Sequence, residues 1–225
     1  MYRDDLAPGG YYHVYNRGVD KREIFLEHKD FLRFTVLMYL CNSHENIYLP
    51  DLLRDNKIED LLLKERGKNL VDIGCFCLMP NHFHLLIKIP EDGNDANISL
   101  FMQKLITGYV MYFNKRNQRK GTLFEGRYKA KLISNDNYLK YIFSYIHLNP
   151  VKLIRPDWRE EGLAVEDFNP IHSYLKDYMY SSYLEYSGEP RNGFERILNK
   201  EVFPEYFSND QDFLRELTGW LNFLN

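Results

Sequence analysis

Two histidines that open an apolar strand are the residues of this sequence best suited to chemistry. Side chains alternate between the faces of a strand, so His82 and His84 share one face while Phe83 and Leu85 share the other. Imidazole is among the commonest metal ligands, and the strand fixes the spacing of the two rings. The pair therefore predicts half of a divalent-metal site, although surface and hydrogen-bonded histidine pairs have the same spacing.

A tyrosine and an asparagine near the end of a later helix form a second candidate group. Tyr145 and Asn149 are one helical turn apart, so they lie on the same face or nearly so. The amide oxygen could join two imidazoles around a divalent cation while leaving positions open for a substrate. A hydroxyl nucleophile, a metal ion and a basic groove are the minimum parts for covalent phosphoryl transfer. Tyr138 and Tyr141 on the same helix are explained more simply by amphipathic packing.

Positive charge is concentrated in one segment of an otherwise acidic chain. The protein has a net charge of -3, yet residues 104–133 contain eight basic residues and one acid. Phosphate binding depends on local charge density, so the segment predicts a polyanion-binding surface, although a solvated helix end and loop would look similar. Tyr112 or Phe124 could stack on unpaired bases there. The residues predicted to bind nucleic acid are Arg17, Lys104, Lys115, Arg116, Arg119, Lys120, Arg127, Lys129 and Lys131.

The elements that must position these groups follow a recognisable order. Hydrophobic periodicity and turn residues predict strands over 11–16, within 75–89 (two strands) and over 124–133, and helices over 29–41, 97–116 and 134–149. Asn97 and Ser134 are the expected helix caps. The order β-α-β-β-α-β predicts an α+β protein with a ferredoxin-like split βαβ antiparallel sheet. We expect helices on one face of this sheet and a second face free for a ligand.

The chain divides by composition into a core region and two less typical segments. We predict a catalytic domain over 1–155, with an insertion at 42–70, and a C-terminal helical extension over 156–225. Ser208 begins a capping-box pattern, and apolar residues at helical spacing follow it. This last helix either packs on the body or mediates formation of a homodimer.

Composition excludes several classes of protein. The chain is 44% hydrophobic over 225 residues, enough to bury a core. It has neither an apolar run of about 18 residues, as a membrane span needs, nor an apolar signal-peptide segment at its N-terminus. Three cysteines suit a reducing compartment, and the spacing of Cys75 and Cys77 disfavours a zinc knuckle. These features predict a cytoplasmic protein without a membrane partner.

Three motifs together resemble a known family. They are LMPNHFHLL at 78–86, GRY at 126–128 and YIHLNPVK at 145–152. Their combination resembles the REP-associated tyrosine transposases, which belong to the single-tyrosine HUH transposases (histidine, hydrophobic residue, histidine). The stretches YHVYNRG at 12–18 and YSSY at 180–183 are also similar, so the resemblance covers roughly residues 11–188. Residues 42–70 look longer than expected and the tail beyond Gly188 has no match, which leaves DNA specificity and oligomeric state open.

The resemblance implies both a reaction and the residues that perform it. His82 and His84 would be the HUH metal ligands, Asn149 the third ligand and Tyr145 the nucleophile. Family members use Mg²⁺ or Mn²⁺ to cleave single-stranded DNA next to imperfect hairpins, which leaves a 5′-phosphotyrosine and a free 3′-hydroxyl. The resemblance therefore implies an endonuclease and strand transferase of transposition and DNA recombination.

Two alternative functions stay open at the level of sequence. One is a protein that binds DNA hairpins without cutting them. The other is a metal-dependent hydrolase of small molecules, which would need further histidine and aspartate ligands on successive strands.

Overall fold

A computed structural model of the protein describes residues 6–161, 167–206 and 209–222. Within these ranges one antiparallel sheet is formed by β1 (Tyr11–Arg17), β2 (Asp72–Met79), β3 (His82–Lys88) and β4 (Lys129–Leu132). Their order across the sheet is β2-β3-β1-β4. The helices are α1 (His28–Leu40), α2 (Leu49–Asp55), α3 (Ala96–Arg116), α4 (Asp136–His147), α5 (Trp158–Glu161), α6 (Phe168–Asp177), α7 (Tyr183–Tyr186) and α8 (Asp210–Asn222). The predicted α+β fold with a β-α-β-β-α-β order is confirmed.

One face of the sheet carries the main hydrophobic core. Phe83, Leu85 and Ile87 of β3 are completely buried and pack with the apolar sides of α1 and α3. Because side chains alternate along a strand, this burial turns His82 and His84 to the opposite face. The core therefore sets the orientation of both histidines.

The sequence suggested that the opposite face of the sheet is free, but α4 covers half of it. Ile142, Phe143 and Ile146 of α4 are buried against Cys77 and Leu86 of the sheet. An amphipathic helix must bury its apolar stripe, and this half of the sheet offers an apolar surface. What remains open is a cleft between α4 and the half of the sheet that contains β1 and β4.

Several element boundaries differ from those predicted. β4 is confined to Lys129–Leu132, because the chain before it bends to the end of β1, where Glu125 N–H donates to the Arg17 carbonyl oxygen at 2.9 Å. The side chain of Asn97 does not cap α3 but donates to the carbonyl oxygen of Leu70 at 2.7 Å. Asn135 rather than Ser134 caps α4, since its side chain accepts from Tyr138 N–H.

The C-terminal part of the chain joins the sheet directly. Tyr180 accepts a hydrogen bond from Leu78 N–H at 2.8 Å, and Ser182 N–H donates to Phe76 at 3.0 Å, so this segment extends the edge of β2. Asn209 caps α8 by accepting from Asp212 N–H. The predicted capping box at Ser208 lies outside the described residues. The boundary at residue 155 and the homodimer stay predictions.

The segment predicted to be an insertion, 42–70, is folded onto the body. It contains α2 and a short 3-10 helix, Glu59–Leu63, in which Leu61 and Leu62 are buried. Arg196 donates to the carbonyl oxygen of Leu63 at 2.5 Å, which connects the segment to the C-terminal extension. In the part of the chain that the structure describes, no helix is both long and apolar enough to cross a membrane.

Candidate active site

The cleft between α4 and the β1–β4 half of the sheet has a volume of about 610 Å³. Imidazole, phenol, amide and basic side chains meet on its walls. The residues that line it include His13, Tyr15, Arg17, His82, His84, Glu125, Arg127, Lys129, Lys131, Tyr138, Tyr141, Tyr145, Asn149 and Lys152. The structure thus brings Tyr145, both histidines of β3 and Asn149 into one cleft.

His82 is oriented by a hydrogen-bonded asparagine. Its Nδ1 lies 2.6 Å from Asn81 Oδ1 and donates to it, while Asn81 Nδ2 donates to the Lys21 carbonyl oxygen at 3.1 Å. The proton on Nδ1 leaves a lone pair on Nε2 for a metal ion. Burial lowers the pKa of His82 to about 4, and the charges of Arg17 and Lys152 add to this effect. The ring is therefore neutral at pH 7, as a ligand must be.

His84 is held by a third histidine that the sequence analysis did not select. His84 Nδ1 lies 2.8 Å from His13 Nε2, and both side chains are buried. Burial lowers the pKa of His84 well below its ordinary value, and that of His13 to about 4. A proton on His84 Nδ1 that is donated to His13 leaves Nε2 of His84 with a free lone pair. This tautomer is the one a metal ligand needs.

Tyr145 lies against this histidine pair. Its ring centroid is 5.4 Å from that of His84 and 5.7 Å from that of His13. Asn149 Nδ2 donates to the Tyr145 carbonyl oxygen at 2.8 Å, so the amide oxygen is the atom left to act as a ligand. His147 does not belong to the site, because its two ring nitrogens bond Phe143 O and Ser182 Oγ.

The donor set fits a divalent transition-metal ion. Among the described residues no group of three or more His, Cys, Asp or Glu side chains is arranged to hold a metal. Two neutral imidazoles and one amide oxygen would be the protein's ligands here. Imidazole suits transition metals better than Mg²⁺, which prefers oxygen donors, so the residues fit Mn²⁺ better than Mg²⁺.

The predicted nucleic-acid-binding residues separate into three groups. Arg17, Arg127, Lys129 and Lys131 line the cleft. Lys115, Arg119 and Lys120 lie at the end of α3 and in the loop after it. The other two are engaged elsewhere: Lys104 Nζ donates to the carbonyl oxygens of Ser43 and Glu45, and Arg116 forms salt bridges with Glu27 and Asp30.

The aromatic side chains that line the cleft are not those that the sequence suggested for stacking on bases. Phe124 is buried, and Tyr112 donates its hydroxyl proton to Asp30 at 2.9 Å, so neither lines the cleft. The half-buried Tyr15, Tyr138 and Tyr141 do line it.

Lys152 and Arg159 are two further cations near Tyr145 that the sequence analysis missed. Lys152 lines the cleft, and the Arg159 guanidinium carbon lies 4.4 Å from the centre of the Tyr145 ring. Lys152 lies in the YIHLNPVK motif, which could have drawn attention to it. Arg159 carries no sequence signal.

Comparison with known proteins identifies the family. The family model described as "Transposase IS200 like" matches residues 37–149, just over half of the chain. The chain belongs to the IS200-like transposase family. The matched range includes His82, His84, Tyr145 and Asn149. The match to the family therefore includes every residue predicted to act as nucleophile or metal ligand.

A curated relative supports the resemblance to REP-associated proteins. The "Putative REP-associated tyrosine transposase" of Haemophilus influenzae is 28% identical over 148 residues, which are 60% of this chain and 66% of that protein. The match thus spans slightly less than two thirds of the relative's length.

Two solved structures are more distant. A REP-associated tyrosine transposase bound to a REP hairpin has a TM-score of 0.49, with 16% identity over 92% of this chain and 94% of the other. The tRNA(His) guanylyltransferase of Saccharomyces cerevisiae has a TM-score of 0.37, with 15% identity over 90% of this chain and 81% of the other. Both TM-scores are below 0.5.

Proposed function

We propose that this protein is a metal-dependent single-stranded DNA endonuclease and strand transferase that acts next to DNA hairpins through a 5′-phosphotyrosine intermediate. The observation that carries the proposal is the contact of Tyr145 with His84, 5.4 Å between ring centroids, inside a cleft lined by five basic side chains and one acidic side chain. A phenol, two imidazoles and a basic surface meet there. Membership of a transposase family supports the same reaction class.

Each part of the cleft has a task in this reaction. The phenol oxygen of Tyr145 forms a bond to phosphorus while the bond from phosphorus to the 3′-oxygen breaks. The phenol proton leaves to solvent, and the departing 3′-oxygen takes up a proton to become a free hydroxyl. The phosphotyrosine conserves the energy of the broken bond, so rejoining needs no ATP.

The protein positions the nucleotide through charge and hydrogen bonding. Arg17, Arg127, Lys129 and Lys131 would bind backbone phosphates, which fixes the register of the strand without reading its sequence. His82, His84 and Asn149 would hold a divalent cation, Mn²⁺ or Mg²⁺, and when bound this ion would polarise the phosphodiester. Asn81 keeps His82 in the tautomer that such a ligand needs, and a proton donated from His84 Nδ1 to His13 would do the same for His84.

The DNA partner is inferred from similarity. The Haemophilus influenzae relative is described as a putative REP-associated tyrosine transposase, and the hairpin-containing substrate follows from the resemblance of the sequence motifs to that family. A cytoplasmic location stays a prediction. A small-molecule hydrolase is disfavoured, because the described residues supply no further His or carboxylate ligands to the histidine pair.

A covalent protein–DNA bond tests the proposal. Purified protein is incubated with Mn²⁺ or Mg²⁺ and labelled single-stranded hairpin oligonucleotides from the DNA that flanks its gene, then run on a denaturing gel. A shifted, protease-sensitive band is expected for wild type and absent for Tyr145→Phe. Tyr141→Phe is the matched control, since Tyr141 is a second phenol of α4 that lines the same cleft, and it should keep the band.

Other outcomes of this gel point to defined alternatives. A band that persists in Tyr145→Phe moves the nucleophile to another residue, with Tyr141 the first to examine. Tight binding of a hairpin without any band supports the protein that binds hairpins but does not cut them.

A further inference from the structure

Arg159 is a charged residue that contacts the ring of the proposed nucleophile. Its guanidinium carbon lies 4.4 Å from the centre of the Tyr145 ring and 5.1 Å from that of Trp158. Tyr145 lines the cleft, so the guanidinium lies next to the cleft wall. Arg159 belongs to α5, which lies at the start of the predicted C-terminal extension. This contact therefore connects the extension to the candidate active site.

One nitrogen of this guanidinium is buried without a partner. Arg159 Nη2 has almost no accessible surface and no hydrogen-bond acceptor among the described residues. Leaving a charged donor without water or a hydrogen-bond partner is energetically unfavourable. Other arginines show how the fold usually meets this need: Arg116 pairs with Asp30 at 2.7 Å and Arg191 with Glu185 at 2.6 Å.

Two further arginines have one unpartnered nitrogen each, but their surroundings differ. Arg33 lies over the Tyr112 ring and Arg119 over the Phe113 ring, and neither of these aromatic residues lines the cleft. Within the described chain, Arg159 therefore combines an unsatisfied cationic donor with contact to Tyr145. That combination indicates an anionic ligand that arrives at the tyrosine.

We propose that Arg159 binds the scissile phosphate, with its guanidinium donating to a non-bridging oxygen while the guanidinium plane contacts the Tyr145 ring. The inference rests on the proposed function and adds a substrate-binding residue to it. In-line attack brings phosphorus within about 3–3.5 Å of the phenol oxygen. At that position the non-bridging oxygens come within reach of a guanidinium that contacts the same ring. The planar fork of arginine matches the geometry of a phosphate.

A purely structural role makes a different prediction. If Arg159 only contacts the Tyr145 and Trp158 rings by cation–π interaction, its loss would misorient the site. The resulting loss of DNA affinity would then not depend on which phosphate is neutralised. The two roles are separated by neutralising phosphates one at a time, because a methylphosphonate removes the negative charge of a single linkage.

The first experiment measures binding in a background that cannot cleave. Tyr145→Phe keeps the aromatic ring under the guanidinium and removes the nucleophile. Affinities of Tyr145→Phe and Tyr145→Phe/Arg159→Ala are measured for a series of hairpin oligonucleotides, each with one methylphosphonate. We expect the effects of Arg159→Ala and of the methylphosphonate on affinity to differ from additivity by at least about 10-fold at one linkage and to be additive at all others. Additivity at every linkage overturns the proposal.

The second experiment measures how fast the covalent band forms. In the Tyr145 background, Arg159→Ala should slow formation of the covalent band by at least about 100-fold on the natural substrate. Arg159→Lys, which keeps the charge but not the fork, should fall between Arg159→Ala and wild type. The matched control is Arg155→Ala, which removes an exposed arginine paired with Asp167 and should cleave at the wild-type rate.

The outcomes distinguish failure of this inference from failure of the proposed function. A wild-type covalent band without phosphate-specific coupling retains the function and removes Arg159 from phosphate binding. Coupling at one linkage without any wild-type band retains Arg159 as a phosphate ligand and removes the strand-transfer reaction. If thermal melting shows that Arg159→Ala does not fold, Arg159→Gln replaces it, and the same coupling is required.

Discussion

The Nε2 atom of His13 lies 2.8 Å from the Nδ1 atom of His84, although the two residues are 71 positions apart in the chain. The antiparallel pairing of β1 with β3 brings them together, since Tyr15 of β1 is the direct partner of His84. A proton donated from His84 Nδ1 to His13 would leave the Nε2 lone pair of His84 free for a metal ion. His13 thereby acts on the proposed metal site without being one of its ligands.

Removal of His13 should weaken metal binding. Groups that orient a metal-ligating histidine typically contribute 10- to 100-fold to metal affinity, so His13→Ala should raise the Kd for Mn²⁺ by about that factor. Isothermal titration calorimetry measures this without any cleavage assay. His44→Ala, which removes an exposed histidine of the 42–70 segment, is the control, and equal affinities of both variants would refute the role of His13.

The basic residues of the cleft should contribute to DNA binding, whereas exposed basic residues elsewhere should not. Lys129→Ala/Lys131→Ala should weaken single-stranded DNA binding and reduce the slope of log affinity against log salt by about 0.7 for each phosphate that is no longer neutralised. Lys57→Ala/Lys64→Ala makes the same charge change at exposed positions of the 42–70 segment and should leave both quantities unchanged. Fluorescence anisotropy over a salt series measures affinity and slope together.

Ser182 should be important for stability rather than for the reaction. Its Oγ donates to His147 Nε2 at 2.8 Å and accepts from Phe76 N–H at 2.9 Å, so Ser182→Ala leaves two buried groups without partners. We expect a decrease of about 2–4 kcal/mol in the free energy of unfolding. Ser187→Ala is a close control, because Ser187 Oγ is buried without a hydrogen-bond partner among the described residues, and the change should cost almost nothing. Urea unfolding of the two variants decides this.

His172 should make the protein less stable in mild acid. Burial lowers its pKa in the folded state from the ordinary value of 6.5, and the charge of Lys176 adds to this effect. The unfolded chain takes up a proton below that pH while the folded chain does not, so stability decreases as pH falls. His172→Gln should show a smaller decrease in unfolding free energy between about pH 7.5 and 5.5 than wild type. Parallel decreases in the two proteins would contradict the assignment.

The sequence alone determined those features that depend on local geometry. Strand alternation placed His82 and His84 on one face, and helical spacing placed Tyr145 beside Asn149, because both periods belong to the backbone itself. The β-α-β-β-α-β order followed from hydrophobic periodicity in the same way. The proposed catalytic set therefore needed no tertiary information to select.

Tertiary contacts bring distant residues into this set, and these could not be selected from the sequence. His13 reaches His84 through strand pairing, and Arg159 reaches Tyr145 through packing of α5, and neither event leaves a local pattern in the sequence. The positive charge of Lys104 looked like part of a DNA-binding surface, yet its ammonium group satisfies two backbone carbonyl oxygens. Buried and half-buried polar groups require hydrogen-bond partners, and the partner determines what each group does. These partners are known only once the chain is folded.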